Sequence, residues 1–224
     1  MERKTILFQG DSITDADRDR ANLKANTRLG MGYVTMLAGI LGCKYPHVDV
    51  LNRGIASNRV ADTYARWLED MRNVDFDMIS ILLGVNDVGF HLRRNKGSDA
   101  QRFEFIYDRM LWEVKQTHPQ AKIVLCQPFI QKRHFYNTEF GEDIYDNWSV
   151  WQENVAQRDE VVKRLAEKYE AIYVPMWDAL TKAQKTIAVE DLTDDCVHLT
   201  ARGNYVVAQA WLQAAEGYIR EKWL

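Results

Sequence analysis

Three short polar segments in the sequence each follow an apolar run and carry groups that acyl-transfer chemistry uses. They are Gly10-Asp11-Ser12-Ile13-Thr14, Asn52-Arg53-Gly54-Ile55-Ala56 and Gly84-Val85-Asn86-Asp87. A hydroxyl at Ser12, an approachable N–H at Gly54 and a carboxamide at Asn86 are the parts of a nucleophile with an oxyanion hole. Each also has an ordinary interpretation, because Ser12 could cap a helix, whereas Gly54 and Asn86 could serve turns.

A serine nucleophile needs a base, and the base needs a carboxylate that orients it. The chain has five histidines, and only His198 has an acid three positions before it, which is Asp195. Three residues in a helix-like turn bring two side chains onto one face, so that the carboxylate can accept an imidazole N–H. Alone the pair is a weak signal, since surface aspartates and helix-capping histidines are common. Asp194 is the neighbouring candidate acid, and the spacing favours Asp195.

The sequence lacks the motifs of several other classes of enzyme. It contains no G-x-x-x-x-G-K-[ST], no G-x-G-x-x-G after a strand, no H-E-x-x-H and no G-x-S-x-G elbow. Nucleotide binding, zinc-protease chemistry and the common α/β-hydrolase arrangement therefore have no support from the sequence.

Apolar patterning indicates how the chain could bring the polar segments together. Short runs rich in Ile, Val and Leu predict strands at Thr5 to Phe8, Val48 to Leu51, Met78 to Leu83, Lys122 to Cys126 and Ala171 to Val174. Amphipathic stretches predict helices at Gly32 to Leu41, Val60 to Met71, Ala100 to Thr117, Asp146 to Tyr169, Met176 to Ala188 and Ala201 to Lys222. Strands that alternate with helices predict an α/β fold with a doubly wound, five-stranded parallel sheet. The carboxyl ends of such strands share one edge, where Ser12, Gly54 and Asn86 converge.

Two long stretches without a regular pattern, Asp15 to Met31 and Phe129 to Tyr145, follow the first and the fourth predicted strand. Loops of this length in an α/β domain are usually functional or mobile. Aromatic residues in or beside the second stretch could stack on a sugar or form a subunit contact. They are Phe135, Tyr136, Phe140, Tyr145 and Trp148.

Composition predicts one globular domain over residues 1–224, because 46% of the residues are hydrophobic and 27% are charged. A net charge of −3 leaves no basic surplus for a phosphate backbone, so we expect no nucleic-acid partner. Three cysteines without a C-x-x-C pair fit a reducing compartment. The apolar run near the N-terminus is too short for a secretory signal, and no run reaches the ~18 residues of a membrane span. We therefore expect a cytoplasmic protein without a membrane partner.

Taken together, the three polar segments and Asp195-x-x-His198 resemble the four blocks of the SGNH (GDSL-type) hydrolases, in family order and over nearly the whole chain. The resemblance implies a flavodoxin-like three-layer α/β/α sandwich. It also implies Ser12 as nucleophile, His198 as base and Asp195 as orienting acid. The implied oxyanion hole consists of the Ser12 and Gly54 N–H groups and the Asn86 side chain. No metal and no organic cofactor is implied.

A narrower resemblance points to the intracellular acetyl-xylan-esterase branch of that family. It rests on Ile13-Thr14-Asp15, Leu29-Gly30-Met31-Gly32-Tyr33-Val34, Asn52-Arg53-Gly54-Ile55 and Ala65-Arg66-Trp67. It implies a serine esterase for short acetyl esters of carbohydrate such as xylo-oligosaccharides. The implied partners are a small-molecule ester and further copies of the chain in a homo-oligomer.

Two alternatives stay open at this point. The same triad could serve a thioesterase, a lysophospholipase or an aryl esterase, because the sequence does not show the size of the acyl pocket. A flavodoxin-like module could also bind a ligand without turning it over. Cleavage of a hexanoyl ester faster than an acetyl ester would favour the first alternative, and absence of serine labelling would favour the second.

Overall fold

Five parallel strands form the centre of the fold. The computed structural model describes residues 2–21, 26–134 and 139–224 of the chain. Its strands are β1 (Lys4–Gly10), β2 (Val48–Asn52), β3 (Met78–Leu82), β4 (Lys122–Cys126) and β5 (Ile172–Val174). They pair in the order β2-β1-β3-β4-β5, and every pairing is parallel. The predicted five-stranded parallel sheet is confirmed, and its order is that of flavodoxin-like folds.

Helices cover both faces of this sheet. They are α1 (Ser12–Asp15), α2 (Tyr33–Lys44), α3 (Val60–Ala65), α4 (Val85–Arg94), α5 (Ala100–Thr117), α6 (Glu139–Asp146), α7 (Trp148–Lys168), α8 (Met176–Ala183) and α9 (Ala201–Trp223). Successive strand residues point to opposite faces. Ile6 and Phe8 therefore pack in one apolar cluster with α2, α8 and α9, whereas Leu7 packs in the other with α3 and α5. The predicted α/β/α sandwich is confirmed.

The helices differ from the predicted ones in two ways. The stretch from Val60 to Met71 is not one helix, because α3 ends at Ala65 and a π-helical turn occupies Leu68–Arg72. In addition, the apolar pattern does not predict α4 or α6. Each of these helices contains a glycine, which weakens the sequence signal for a helix.

The sheet order brings the candidate segments to one edge. β1 lies between β2 and β3, so the segments that follow these three strands are neighbours. α1 begins at Ser12 just beyond β1, and α4 begins at Val85 just beyond β3. The residues before α9 return to the same edge, where His198 meets Ser12.

The two long stretches contain short regular elements. The first begins at Asp15, the last residue of α1, and contains a 3₁₀ turn at Asn26–Leu29; the second contains all of α6 except its last residue. Phe135, Tyr136 and the side chain of Phe140 lie outside the described residues. Tyr145 packs edge-on against the ring of His134, with ring centroids 4.4 Å apart.

The cysteines and the helices bear on two further expectations. Cys43, Cys126 and Cys196 are free thiols, and the last two are buried. Within the part of the chain that the structure describes, none of the helices combines the length and the apolar character that a membrane-spanning segment needs.

Candidate active site

Ser12 is the first residue of α1, directly beyond the end of β1. The N-cap of this helix is Asp11, whose carboxylate accepts a hydrogen bond from the Ile13 N–H at 3.0 Å. The ordinary interpretation of Ser12 as the helix cap is therefore wrong. Its hydroxyl has a different partner, because Ser12 Oγ lies 2.8 Å from His198 Nε2.

The imidazole of His198 bridges Ser12 and Asp195. Its Nδ1 lies 2.6 Å from Asp195 Oδ2. Asp195 Oδ1 accepts the backbone N–H groups of Val197 at 3.1 Å and of His198 at 2.7 Å. Both carboxylate oxygens are therefore held, and the carboxylate is fixed on the imidazole. When Nδ1 carries the proton, Nε2 can accept the proton of the serine hydroxyl.

A closed loop holds Asp195 and His198 together. An isolated antiparallel bridge joins Thr193 to Leu199, and Cys196 between the two site residues has left-handed backbone with a φ of 75°. The prediction of a helix-like turn is therefore wrong, although the predicted pairing of the Asp195 and His198 side chains is present. The reversal of the chain in this loop, and not a helical turn, brings the side chains of Asp195 and His198 together.

The contact between His198 and Asp195 changes the acid–base properties of both groups. The hydrogen bond to Asp195 raises the pKa of His198, and the negative charge of Asp195 reinforces this against the opposing effect of burial. Burial acts to raise the pKa of Asp195, but its hydrogen bonds and the charge of His198 hold that pKa below its usual value. The geometry thus keeps Asp195 ionised and strengthens the imidazole as a base.

Asn86 lies in the first turn of α4 and lines the same cavity as Ser12. Gly84, just before this helix, has a φ of 137°, which glycine adopts without a steric penalty. The Asn86 carboxamide donates to the Asn58 C=O at 3.2 Å. Because a carboxamide nitrogen carries two hydrogens, one N–H is left for a ligand. The structure thus brings Asn86 to the site where the sequence predicts it.

The geometry does not support the predicted role of Gly54 as an oxyanion donor. Its N–H donates to Asn52 Oδ1 at 2.9 Å, and the residue is absent from the lining of the cavity. A Cβ at this position would lie 2.5 Å from the Asp15 nitrogen and 2.9 Å from the Thr14 carbonyl carbon. Glycine is required here because the segment that follows β2 lies directly against the end of α1, not because its N–H faces a ligand.

Ser57, three residues after Gly54, lies at the cavity, where the sequence predicts Gly54. It lines the cavity with Ser12 and Asn86, and its φ of 65° is left-handed. Among the described residues, no acceptor takes the Ser57 or the Ser12 N–H. The sequence does not indicate that the Ser57 N–H faces the cavity, because a serine in a loop does not predict left-handed backbone.

A cavity of about 680 Å³ opens at Ser12 and His198. Part of its lining is buried and apolar: Val85, Trp151 and Val197. Two exposed lining residues are acids: Asp17 and Asp194. No lysine or arginine of the described residues is part of the lining. The cavity therefore combines an apolar interior with a negative rim.

Asp11 and Asp87 are buried acids in the segments that end β1 and begin α4. One oxygen of each accepts a backbone N–H, from Ile13 and Val60 respectively. The other oxygen of each has no hydrogen-bond partner within the described part of the chain. Burial raises the pKa of Asp11 to about 6 and that of Asp87 to about 7. Both carboxyls can therefore hold a proton near neutral pH.

Known proteins share this sequence and this architecture. Residues 8–206 match the GDSL-like lipase/acylhydrolase family. An acetylxylan esterase of Geobacillus stearothermophilus is 32% identical over 216 residues, which are 93% of this chain and 92% of that protein. A solved acetylxylan esterase from the same organism has a TM-score of 0.80 at 29% identity, over 95% of this chain and 94% of that chain. A solved protein of Parabacteroides merdae ATCC 43184, described as a GDSL-like lipase, has a TM-score of 0.85 at 31% identity over 96% of both chains.

The effect of Asp195 on His198 should be measurable as a raised pKa of the His198 imidazole. We expect the wild-type His198 pKa, followed by NMR at the imidazole C2–H, to lie above the ordinary value of ~6.5. Asp195→Asn should lower that pKa and also cost activity, because an amide holds the imidazole in the wrong tautomer. The equivalent change costs ~10⁴ in kcat in Ser-His-Asp proteases, and a smaller loss is expected here. Asp194→Asn is the matched control; equal effects of the two changes would contradict the assignment of Asp195.

The raised pKa of Asp87 should appear in the pH dependence of stability. In the folded protein this carboxyl keeps its proton to higher pH than it does in the unfolded chain, so its ionisation destabilises the folded state. The free energy of unfolding should therefore fall as the pH rises from about 4 to about 7. Asp87→Asn has no proton to lose, and its free energy of unfolding in urea should fall less over that range. Identical pH dependence in the variant and the wild type would exclude Asp87 as the source.

Proposed function

The chain belongs to the GDSL-like lipase/acylhydrolase family, a family of carboxylic ester hydrolases, and we propose that it deacetylates carbohydrate esters with Ser12 as nucleophile. The observation that carries this proposal is the line of hydrogen bonds from Ser12 Oγ through His198 to Asp195. A hydroxyl placed on an imidazole whose other nitrogen meets a carboxylate is the arrangement that activates serine. Solved structures of the Geobacillus esterase include catalytic mutants of a serine, an aspartate and a histidine.

In the proposed reaction, Ser12 Oγ attacks the ester carbonyl carbon while His198 Nε2 takes the hydroxyl proton. The carbonyl electron pair moves onto oxygen and gives a tetrahedral oxyanion. When this intermediate collapses, the alcohol leaves with the proton from His198, and the acetyl group stays on Ser12. Water then attacks the acetyl group with His198 as base, and acetate and free Ser12 result. Asp195 remains ionised and stabilises the imidazolium.

Three donors are available for the oxyanion in this proposal. They are the backbone N–H groups of Ser12 and Ser57 and the free N–H of the Asn86 carboxamide. Donors that are already fixed toward the developing charge stabilise it without reorganisation. The positive φ of Ser57 supports its inclusion, because backbone strain of this kind is found at functional sites.

The charge of the cavity supports a neutral substrate. Asp17 and Asp194 line its exposed side, and no lysine or arginine of the described chain lies beside them in the lining. Coenzyme A thioesters and lysophospholipids carry phosphate groups, which such a rim repels. An acetylated sugar carries none, and its hydroxyls can donate hydrogen bonds to carboxylates. The names of the Geobacillus relatives, an acetylxylan esterase and an acetyl-xylooligosaccharide esterase, agree with this choice.

Acetate release tests the proposed function directly. We expect acetate from acetylated xylo-oligosaccharides and faster cleavage of p-nitrophenyl acetate than of the hexanoyl ester. Ser12→Ala should abolish both activities and labelling by a fluorophosphonate while leaving the thermal unfolding midpoint close to that of the wild type. A preference for the hexanoyl ester or for an acyl-coenzyme A would favour a thioesterase or aryl esterase. No turnover and no labelling would favour a ligand-binding module.

Two substitutions distinguish a side-chain donor from a backbone donor in the oxyanion hole. Asn86→Ala removes a side-chain donor and should lower kcat about 10²–10³-fold with little change in KM. Ser57→Gly keeps the backbone N–H and relieves the left-handed strain, so its kcat should stay within about threefold of the wild type. An increase in KM at constant kcat for Asn86→Ala would assign Asn86 to substrate binding. A large loss of kcat in Ser57→Gly would mean that the Ser57 hydroxyl takes part.

A further inference from the structure

The loop at residues 53–58, between β2 and α3, is anchored by side chains from outside it. Arg66 donates to Asn58 Oδ1 at 2.8 Å and to the Arg53 C=O at 3.0 Å, so that one guanidinium holds both ends. The middle of the loop contains Ala56 and Ser57, and both are exposed. Apolar packing therefore cannot fix the left-handed backbone of Ser57, which persists only where its surroundings impose it.

Asp15, the last residue of α1, reaches the middle of this loop. Its side chain is only 5% exposed, and its Oδ2 accepts the Ala56 N–H at 2.9 Å. This bond fixes the backbone immediately before Ser57. A hydrogen bond to an ionised acceptor is stronger than one between neutral groups, so it can hold an exposed segment in a strained conformation.

Arg18 completes the anchor from the same side. Its side chain is 4% exposed, its Nε donates to the Gly54 C=O at 2.8 Å, and the same atom lies 3.6 Å from Asp15 Oδ1. Arg20 pairs with Asp15 as well and is itself half exposed. Buried charges are costly unless they are paired and hydrogen-bonded. Here the buried Asp15 and Arg18 each use a hydrogen bond on the 53–58 loop.

We propose that Asp15, together with Arg18, is a positioning residue of the oxyanion hole, which directs the Ser57 N–H at the ester oxygen. The inference rests on the proposed function. One short helix carries Ser12 at its start and Asp15 at its end. The nucleophile and the backbone donor therefore keep a fixed spacing although they belong to the ends of different strands.

This anchor acts on the transition state and not on the bound ester. The ester oxygen bears full negative charge only in the tetrahedral intermediate, so a displaced donor raises the barrier more than it weakens substrate binding. A residue that merely supports the fold would instead lower the fraction of active molecules and leave kcat per active site unchanged.

Asp15→Asn tests the proposal, because it keeps the size of the side chain and removes its charge. We expect kcat per active site, counted by fluorophosphonate titration, to fall about 10- to 100-fold with KM unchanged within about twofold. Affinity for ethylboronic acid, which forms a tetrahedral adduct with a serine hydroxyl, should fall by the same factor as kcat. Arg18→Met removes the second contact and leaves Asp15 paired with Arg20, so it should show the same pattern with a smaller loss.

Asp77→Asn is the matched control at the opposite edge of the sheet. Asp77 also accepts a backbone N–H, from Thr5 at 2.9 Å, and pairs with Lys4 at 2.9 Å. Its substitution should leave kcat per active site and boronate affinity unchanged. If Asp15→Asn does not fold, Arg18→Met decides; wild-type kcat and boronate affinity in whichever variants fold would overturn the proposal. The proposed function fails separately, if Ser12→Ala retains esterase activity.

Discussion

The 2.8 Å contact between Ser12 Oγ and His198 Nε2 joins residues 186 positions apart, and the fold must bring both to one point. Ser12 is fixed because only Asp11 separates it from the end of β1. The loop of His198 is fixed by Asn204 of α9, whose carboxamide donates to the Leu199 C=O at 2.9 Å and accepts the Tyr33 N–H at 2.9 Å. One buried side chain therefore ties the histidine loop to the start of α2. A displacement of about 1 Å at this contact would slow the proton transfer of the proposed reaction by on the order of 10²-fold.

A second buried carboxamide, that of Asn52 at the end of β2, holds other segments of the site in the same way. Beyond the strand ends no ladder satisfies the backbone, so side chains must take its N–H and C=O groups. Asn52 donates to the C=O groups of Thr14 and Leu29 at 2.6 and 2.8 Å and accepts the Gly54 N–H at 2.9 Å. It is buried, and its three partners come from three segments. Networks of this kind are rigid when every member is satisfied, which suits loops that must hold donors in place.

The sequence predicts much of this arrangement and misses the rest for physical reasons. The strands are readable because burial on both faces forces continuous apolar runs, and Asp195 is readable because its spacing from His198 is unusual in the chain. Gly54 misleads because a glycine can indicate either a free N–H or a close approach, and only the distance to Asp15 distinguishes them. Ser57 is not predicted because the contacts that hold its left-handed backbone include the bond from the Ala56 N–H to Asp15 of α1, which is far away in sequence. Local patterns predict elements, whereas conformations imposed by tertiary contacts need the structure.

The charges at the cavity bear on the product as well as on the substrate. In the proposed reaction, hydrolysis of a neutral acetyl ester creates a carboxylate in a cavity lined by Asp195, whose pKa is held low, and by the exposed Asp17 and Asp194. Like charges repel even where water partly screens them, so these acids weaken the binding of the acetate product. The side chain of His198 is 48% exposed, which gives the alcohol and the attacking water an open path to Nε2. In the proposed reaction, one set of acidic side chains therefore selects an uncharged ester at entry and favours release of the anion at exit.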